Sequence, residues 1–332
     1  MDKLNVAVIG TGAMGRNHAR VYSWLKNVDL VAVCDSNKEV GKSIAEKYNI
    51  NHYTNYKKML EKEDLDAVSV CVPTRLHKDI AIGIIKKKIN AIVEKPIAGT
   101  VDEAREIITK AEKNKVKLMV GHIERFNPVV IELKRRIKNN QLGKIYNVHC
   151  ARMGPTVQRI TDVGVIIDLA IHEIDILKHI INSKIKRVYA ETAQKIHSNH
   201  EDLLIGTVRF ENNILGVINS NWLTPKIVRE ISVAGEKGML VADYFKQELF
   251  FYENEFVKKR LEHEFYSMMV LQGKKVKIKI KNQEPLRNEL EAFADSILKN
   301  KPMPITGEDG LQALYIAQKF LESSKRNEVI NL

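Results

Sequence analysis

The sequence predicts an α/β protein in which a doubly wound parallel sheet is followed by an α+β domain with an open, mainly antiparallel sheet. Three observations carry this expectation. Short apolar runs alternate with helical spacings through roughly the first 120 residues, and a glycine-rich turn follows the first of those runs. Beyond them, longer alternating runs are joined by short turns instead of helices. A chain of 332 residues exceeds one ordinary core. Two domains are expected, at 1–121 and 122–332.

In chain order, residues 5–9 form an apolar strand ending at Gly10, and 14–25 carry helical spacing. Residues 30–34 read as a second strand, 38–48 as a helix, and 67–72, 91–93 and 117–120 as further strands. Helical patterns at 76–87 and 101–114 lie between them. This alternation implies right-handed crossovers and a parallel sheet covered on both faces. From residue 122 the pattern changes to a helix at 129–138 and strands at 146–152, 186–192, 203–210, 214–221 and 229–234. Turns at 212–213 and 235–238 make neighbouring strands antiparallel, and helices at 288–299 and 308–324 complete the chain.

Composition narrows the function classes. The net charge of +12 invites an anionic partner, yet the lysines alternate with Val and Ile in 275–281 as on the outer face of a half-buried strand. No arginine-rich tract with interleaved aromatics points to nucleic acid. The most apolar stretch, 163–181, is broken by Asp168, His172, Glu173, Asp175 and Lys178, so no membrane span is expected. With no signal-peptide pattern after Met1, the expected location is cytoplasmic. Cys34, Cys71 and Cys150 form no C-x-x-C pair, so reduced thiols are expected.

Gly10-Thr11-Gly12-Ala13-Met14-Gly15 falls between the first strand and the first helix, the context of a dinucleotide-binding (Rossmann) turn. Gly10 permits the tight turn, Gly12 lets the backbone approach a pyrophosphate, and Gly15 lets helix and strand pack closely. The helix amino terminus offers its N–H groups to the phosphates. Asp35, ending the second strand, suits the adenosine ribose hydroxyls and repels a 2′-phosphate. Two like charges about 4 Å apart at an effective dielectric near 20 cost about 4 kcal/mol, which favours NAD over NADP. Asp35 could instead cap the following turn, as could Ser36. Cys71, Pro73, Thr74 and His77 follow a strand at its carboxyl edge, where ligands of such sheets bind, and Glu94-Lys95-Pro96 follows the next. His77 is expected to contact the cofactor or the helix start, and Lys95 to lie at the nicotinamide end.

Asp168, His172, Asp175 and His179 stand at i, i+4, i+7 and i+11, along one face of a regular helix. They could be metal ligands, although two histidines seven apart do not match H-E-x-x-H. They could be a structural polar stripe. They could also be an acid/base group in which Asp168 orients His172, assistance worth roughly 10² to 10⁴ in rate. The dinucleotide domain favours this third reading, and no metal is expected.

Together G-T-G-A-M-G, E-K-P, R-F-N-P and D-L-A-I-H-E-I-D resemble the glucose–fructose oxidoreductase/inositol dehydrogenase (Gfo/Idh/MocA) family of nicotinamide-dependent sugar oxidoreductases over nearly the whole chain. The resemblance implies that Lys95, Asp168 and His172 are the catalytic group, with His172 the base. Cofactor contacts are then expected from Gly10, Gly12, Ala13, Met14, Gly15, Asp35, Ser36, Cys71, Pro73, Thr74, His77, Glu94 and Lys95. One departure is Asp162-Val163-Gly164-Val165, where many members have consecutive glycines. G-H-I-E-R-F-N-P (121–128) and R-M-G-P (152–155) resemble the branch that oxidises the 3-hydroxyl of UDP-N-acetylhexosamines. This implies a substrate pocket of Arg125, Asn127, Arg152 and Arg159 beside Lys95, Asp168 and His172, since guanidinium forks match a diphosphate. It also implies a homodimer or homotetramer. The alternatives are an inositol or other sugar dehydrogenase, or a non-catalytic dinucleotide sensor that binds a protein partner.

Overall fold

Strand and helix alternate from the start of the chain: β1 (Leu4–Ile9), α1 (Ala13–Tyr22), β2 (Val28–Cys34), α2 (Lys38–Tyr48), β3 (Asn51–Tyr53), α3 (Tyr56–Lys62), β4 (Ala67–Val70), α4 (His77–Lys86), β5 (Asn90–Glu94), α5 (Val101–Asn114) and β6 (Leu118–Gly121). This computed structural model describes residues 3–155, 163–196, 199–260 and 266–332. The six strands pair in the order β3-β2-β1-β4-β5-β6, every pair parallel. β4 is buried at every residue, as a strand covered on both faces must be. Asn37 and Asn55 cap α2 and α3 through their side chains, and Thr100 with Glu103 makes a capping box on α5. β3 and α3 were not expected from the sequence. Three residues, Asn51, His52 and Tyr53, are too few to show a period of two.

The strand order reverses between β1 and β4, and a crevice at a reversal of this kind is where open α/β sheets bind ligands.

The second set of elements comprises α6 (Pro128–Lys138), β7 (Ile145–Pro155), α7 (Ile171–Ile181), β8 (Ile185–Ala193), β9 (Leu203–Phe210), β10 (Leu215–Asn221), β11 (Leu223–Gly235), β12 (Gly238–Asp243), β13 (Glu248–Arg260) and β14 (Tyr266–Ile278). They build a nine-stranded sheet, β14-β13-β12-β11-β7-β10-β9-β8-β15, closed at one edge by β15 (Ile330–Asn331). β7 and β10 run parallel, and the remaining neighbours are antiparallel. Along β9 the inward positions are Leu204, Gly206, Val208 and Phe210, alternating with more exposed residues. The alternating lysines meet aromatic rings: Lys275 lies 4.7 Å from the centroid of Phe250, and Lys277 pairs with Glu248 at 2.5 Å.

The chain ends with α8 (Pro285–Leu298) and α9 (Gly307–Arg326) ahead of β15. Packing divides the structure into two units, Met1–Phe126 with Glu284–Ile316, and Asn127–Gln283 with Ala317–Leu332. A single cut at 121/122 would place residues 284–316 with the second unit, but their contacts are with the first. Arg20 forks onto Glu284 at 2.5 and 3.2 Å, Asn27 donates to Asp295, and Lys117 donates to the Lys301 carbonyl. Partners this far apart in sequence leave no local signature.

In the second unit Phe320 of α9 is fully buried, with its ring against Gly206, where an added Cβ would stand 2.8 Å away. Phe320→Ala should lower unfolding stability by about 3–5 kcal/mol in a urea titration. A change below about 1 kcal/mol would mean that the ring does not anchor this core.

Candidate active site

Three glycines shape the turn after β1, each for a different reason. Gly10 has φ +87°, and a Cβ there would lie 2.6 Å from the Cys71 carbonyl oxygen. At Gly15 a Cβ would lie 1.7 Å from the Gly10 carbonyl oxygen, so α1 can sit on β1 only if this residue has no side chain. A Cβ on Gly12 would meet nothing within 4 Å. Gly12 is also the N-cap of α1 and makes no side-chain cap, so the helix start presents backbone N–H groups beside open space. A pyrophosphate fits that opening.

Asp35 does two jobs at once. One carboxylate oxygen accepts from both the backbone N–H and the hydroxyl of Thr11, each at 2.7 Å, and the other accepts from the Asn37 N–H at 2.9 Å. It therefore ties the glycine turn to the end of β2. Asn37, not Ser36, caps α2. Gly10, Asp35, Ser36, Pro73, Leu76 and Lys78 line one groove of about 960 Å³ in the first unit. Ala13 and Met14 open α1, and Thr74 opens the short turn leading to α4. His77, in contrast, is nearly fully buried, with its ring nitrogens 2.8 Å from the Pro96 carbonyl and 2.9 Å from the Val72 carbonyl. Burial holds its imidazole below the usual histidine range, and a neutral ring donates to one of these carbonyls at a time. It braces the loops after β4 and β5.

Glu94 ends β5 as a buried carboxylate. Its Oε1 lies 3.0 Å from His18 Nε2, and its Oε2 accepts from the Lys95 backbone N–H at 3.3 Å. His18 Nδ1 is 3.0 Å from Ser69 Oγ, which is 2.8 Å from the Tyr22 hydroxyl. Burial opposes ionisation of Glu94, but the hydrogen bond and charge of His18, with Lys95 and His77, outweigh it and hold the carboxyl below its ordinary range. The Cys71 thiol is pushed well up by burial and by the charges of Glu94 and Glu289, so it stays protonated. Donor atoms of His18, Cys71 and Glu94 lie within 4.8 Å of one another, the one such grouping among the described residues. Because both ring nitrogens of His18 already have partners, the grouping reads as a hydrogen-bonded network.

In the second unit, Ile166–Ala170 form a π-helical turn that feeds α7. A wide turn of this kind changes the phase of the helix and recurs at functional sites. Asp168, in the turn, and His172, in α7, are therefore not related by a regular i, i+4 step. Of the four residues expected on one helical face, His179 lies 3.2 Å from Lys134 Nζ, and His172 and Asp175 are buried. The segment entering the turn is held by Glu201, whose carbonyl accepts from Val165 N–H and whose carboxylate accepts from Ile166 N–H. A Cβ on Gly164 would collide with that carboxylate at 2.1 Å.

Residues 4–122 match the NAD-binding Rossmann-fold domain of the GFO/IDH/MocA oxidoreductases, and residues 134–332 match the C-terminal α/β domain of the same family. The chain belongs to this family. Its cofactor is NAD. It is 27% identical to the uncharacterized oxidoreductase YrbE of Bacillus subtilis, over 95% of this chain and 93% of that one. It is 25% identical to the myo-inositol 2-dehydrogenase of Thermotoga maritima, over 98% of this chain and the whole of the relative. Among solved structures it superposes on UDP-N-acetylglucosamine 3-dehydrogenase GnnA from Acidithiobacillus ferrooxidans with a TM-score of 0.85. That match has 21% identity and covers 98% of this chain and 99% of GnnA.

The residues expected to hold a sugar diphosphate in this GFO/IDH/MocA protein are spread over both units. Arg125 Nη2 donates to Asp309 at 3.1 Å within the first unit, and the pair holds the Asp309 carboxyl below its ordinary range despite burial. Asn127 caps α6 and donates to the Tyr244 carbonyl in the second. Arg152 is buried, its Nε 2.5 Å from Glu173 Oε1 and its guanidinium 5.8 Å from the centroid of Tyr244. Arg159 lies outside the described residues. Sequence reasoning missed the partners His18, Ser69, Tyr22, Glu173 and Glu201. For Glu173 a signal existed, a carboxylate on a helix with Ile171, Ile174, Ile176 and Leu177.

Asp35→Ala should weaken NAD binding at least tenfold and NADP binding less, read by quenching of protein fluorescence. Equal losses would show that Asp35 only holds Thr11. Arg152→Ala should lower stability by about 3–5 kcal/mol by leaving the Glu173 carboxylate buried without its cation. A variant with unaltered melting and weakened substrate binding would instead make Arg152 a substrate ligand.

Proposed function

We propose that this NAD-dependent oxidoreductase of sugar alcohols oxidises the 3-hydroxyl of UDP-N-acetylglucosamine to a 3-keto sugar nucleotide, which amino-sugar biosynthesis consumes. The observation that carries the dehydrogenase reading is the retention, in one chain of this family, of the glycine turn with Asp35, Lys95 directly after β5, Asp168 in the π turn and His172 at the start of α7. Segments 121–128 and 152–155 favour the nucleotide sugar. NAD, when bound, accepts the C3 hydrogen with its electron pair. His172 takes the hydroxyl proton, Asp168 orients the neutral His172 ring and stabilises the charge it gains, and Lys95 polarises the hydroxyl before the proton leaves. On this reading the protein works in the cytoplasm as a homodimer or homotetramer.

A second reading, oxidation of an inositol, has two observations in its favour. Relatives named as inositol 2-dehydrogenases align over 98% of this chain at 24–25% identity. The guanidiniums of Arg125 and Arg152 also already have carboxylate partners, which a neutral polyol does not disturb.

NADH formation is measured with UDP-sugars, inositols and free sugars in parallel. Reduction of NAD with UDP-N-acetylglucosamine alone supports the first reading, and reduction with inositols alone supports the second. Silence with every sugar would point to a dinucleotide sensor. Lys95→Ala and His172→Ala should each lower turnover of the best substrate by roughly 10² or more. Turnover within a few-fold of wild type would remove that residue from the catalytic group.

A further inference from the structure

The groove that holds Asp35 runs on past the residues its sequence assigns to the cofactor. Cys34 and Tyr53 are register partners in the parallel pair of β2 and β3, and the Asp35 N–H donates to the Tyr53 carbonyl at 3.0 Å. The turn after β3 therefore leaves the sheet beside Asp35. It leads into α3, which Tyr56 opens under the side-chain cap of Asn55. The opposite wall is α4, where Leu76, Ile80, Gly83 and Lys87 recur at helical spacing along one face. All four line the groove together with Tyr56 and Leu60, which are themselves four residues apart on α3. Every one of these residues belongs to the first unit.

Gly83 is the informative position. It stands inside α4, where glycine is less favourable than any residue but proline. A Cβ there would lie 3.0 Å from Tyr56 Cε2 and 3.2 Å from the Tyr56 hydroxyl oxygen. The Tyr56 ring is seated against the helix backbone, in space that a side chain at 83 would otherwise take. It is only half-buried, whereas Leu60 and Ile80 beside it are buried. Burial, and then the charge of Asp79, push the phenol up, so the ring stays neutral.

We propose that Tyr56 is a cofactor-binding residue whose ring stacks on the adenine of NAD, and that Gly83 positions that ring by leaving it room against α4. The order of groups along the dinucleotide gives the direction. With the pyrophosphate at the glycine turn and the ribose hydroxyls at Asp35, the base is the next group out, and the groove continues there between α3 and α4. A flat heteroaromatic base has two apolar faces, which suit an aromatic wall on one side and aliphatic side chains such as Leu76 and Ile80 on the other. The inference goes beyond the choice of sugar and is independent of it, because NAD binding belongs to the whole family.

AMP carries the adenosine half of the cofactor and nicotinamide mononucleotide the other half, so titration calorimetry with each separates a local effect from a general one. The proteins compared are wild type, Tyr56→Ala, Tyr56→Phe, Gly83→Val and the double variant Tyr56→Ala/Gly83→Val, with melting temperature as the check on folding. Tyr56→Ala should weaken AMP about tenfold, the loss of one base stack, while nicotinamide mononucleotide stays within about twofold. Tyr56→Phe keeps the ring and should bind AMP like wild type. Gly83→Val displaces the ring and should weaken AMP by a similar factor, with almost no further loss once Tyr56 is alanine. The proposal is overturned if Tyr56→Ala binds AMP like wild type, if both half-cofactors weaken together, or if Tyr56→Phe is as weak as Tyr56→Ala. It is equally overturned if Gly83→Val costs the same factor with and without the Tyr56 ring. Should Tyr56→Ala fail to fold, Gly83→Val decides: loss of AMP affinity alone supports the proposal, and unchanged AMP affinity overturns it.

Discussion

A charge buried at the end of β5 is the constraint on which the first unit depends. Burial opposes the Glu94 charge, and His18, 3.0 Å away, is the main group that offsets it; His18 is carried by α1. One helix thus has two fixed tasks. Its first residues must present N–H groups beside Gly12, and within the next three turns it must bring His18 and Tyr22 toward Ser69 on β4 and Glu94 on β5. His18 and Tyr22 are four residues apart, so they share a face, and their rings meet edge to face at 6.3 Å. Neither task is possible unless α1 lies close against β1. Gly15, where even a methyl group would clash with the Gly10 carbonyl, sets that closeness. The third glycine thus serves the carboxylate at the end of β5 as much as the dinucleotide.

How much of this is legible in sequence depends on the distance between partners. The parallel sheet, its glycine turn and Asp35 are local patterns, and the structure has them where periodicity places them. β3 and α3 are too short to announce themselves. Residues 284–316 join the first unit through Glu284, Asp295 and Lys301, each more than 180 residues from its partner, and no window of sequence contains both members. The same reasoning explains why Glu94 could be placed at the cofactor edge of the sheet while His18 could not be named as its partner. A histidine at the fourth residue after Met14 reads simply as part of a helix. His77 was expected to contact the cofactor or the helix start; it opens α4, and its nitrogens meet two backbone carbonyls in the interior, partners that no local pattern announces.

In the second unit the helical spacing of Asp168, His172, Asp175 and His179 was real as a pattern but incomplete as geometry. A period of 3.6 assumes an unbroken α-helix, and the π turn over Ile166–Ala170 breaks it. The energetic reason is visible beside the turn. Glu201 captures the backbone N–H of Ile166 and occupies the space next to Gly164, so the chain enters the helix from a fixed point. Gly164, the one glycine in the sequence Asp162-Val163-Gly164-Val165, stands where an added side chain would collide with Glu201.

The buried pair of Arg152 and Glu173 bears on substrate choice by a separate route. A guanidinium has five donors and a carboxylate takes at most two of them, so an arginine in an ion pair retains capacity for a phosphate. Capacity is not access, however, and Arg152 is only 5% exposed. Drawing it toward a diphosphate would leave Glu173, fully buried, to lose its cation, at a cost of about 3–5 kcal/mol that the phosphate contact must first offset. Arg125 faces a smaller obstacle, because the Asp309 side chain is 34% exposed and water can reach it when the guanidinium leaves. If this chain recognises a nucleotide diphosphate through the arginines its sequence singled out, Arg125 can turn to it at lower cost than Arg152. A neutral polyol requires neither to move, and the two ion pairs then serve the fold alone.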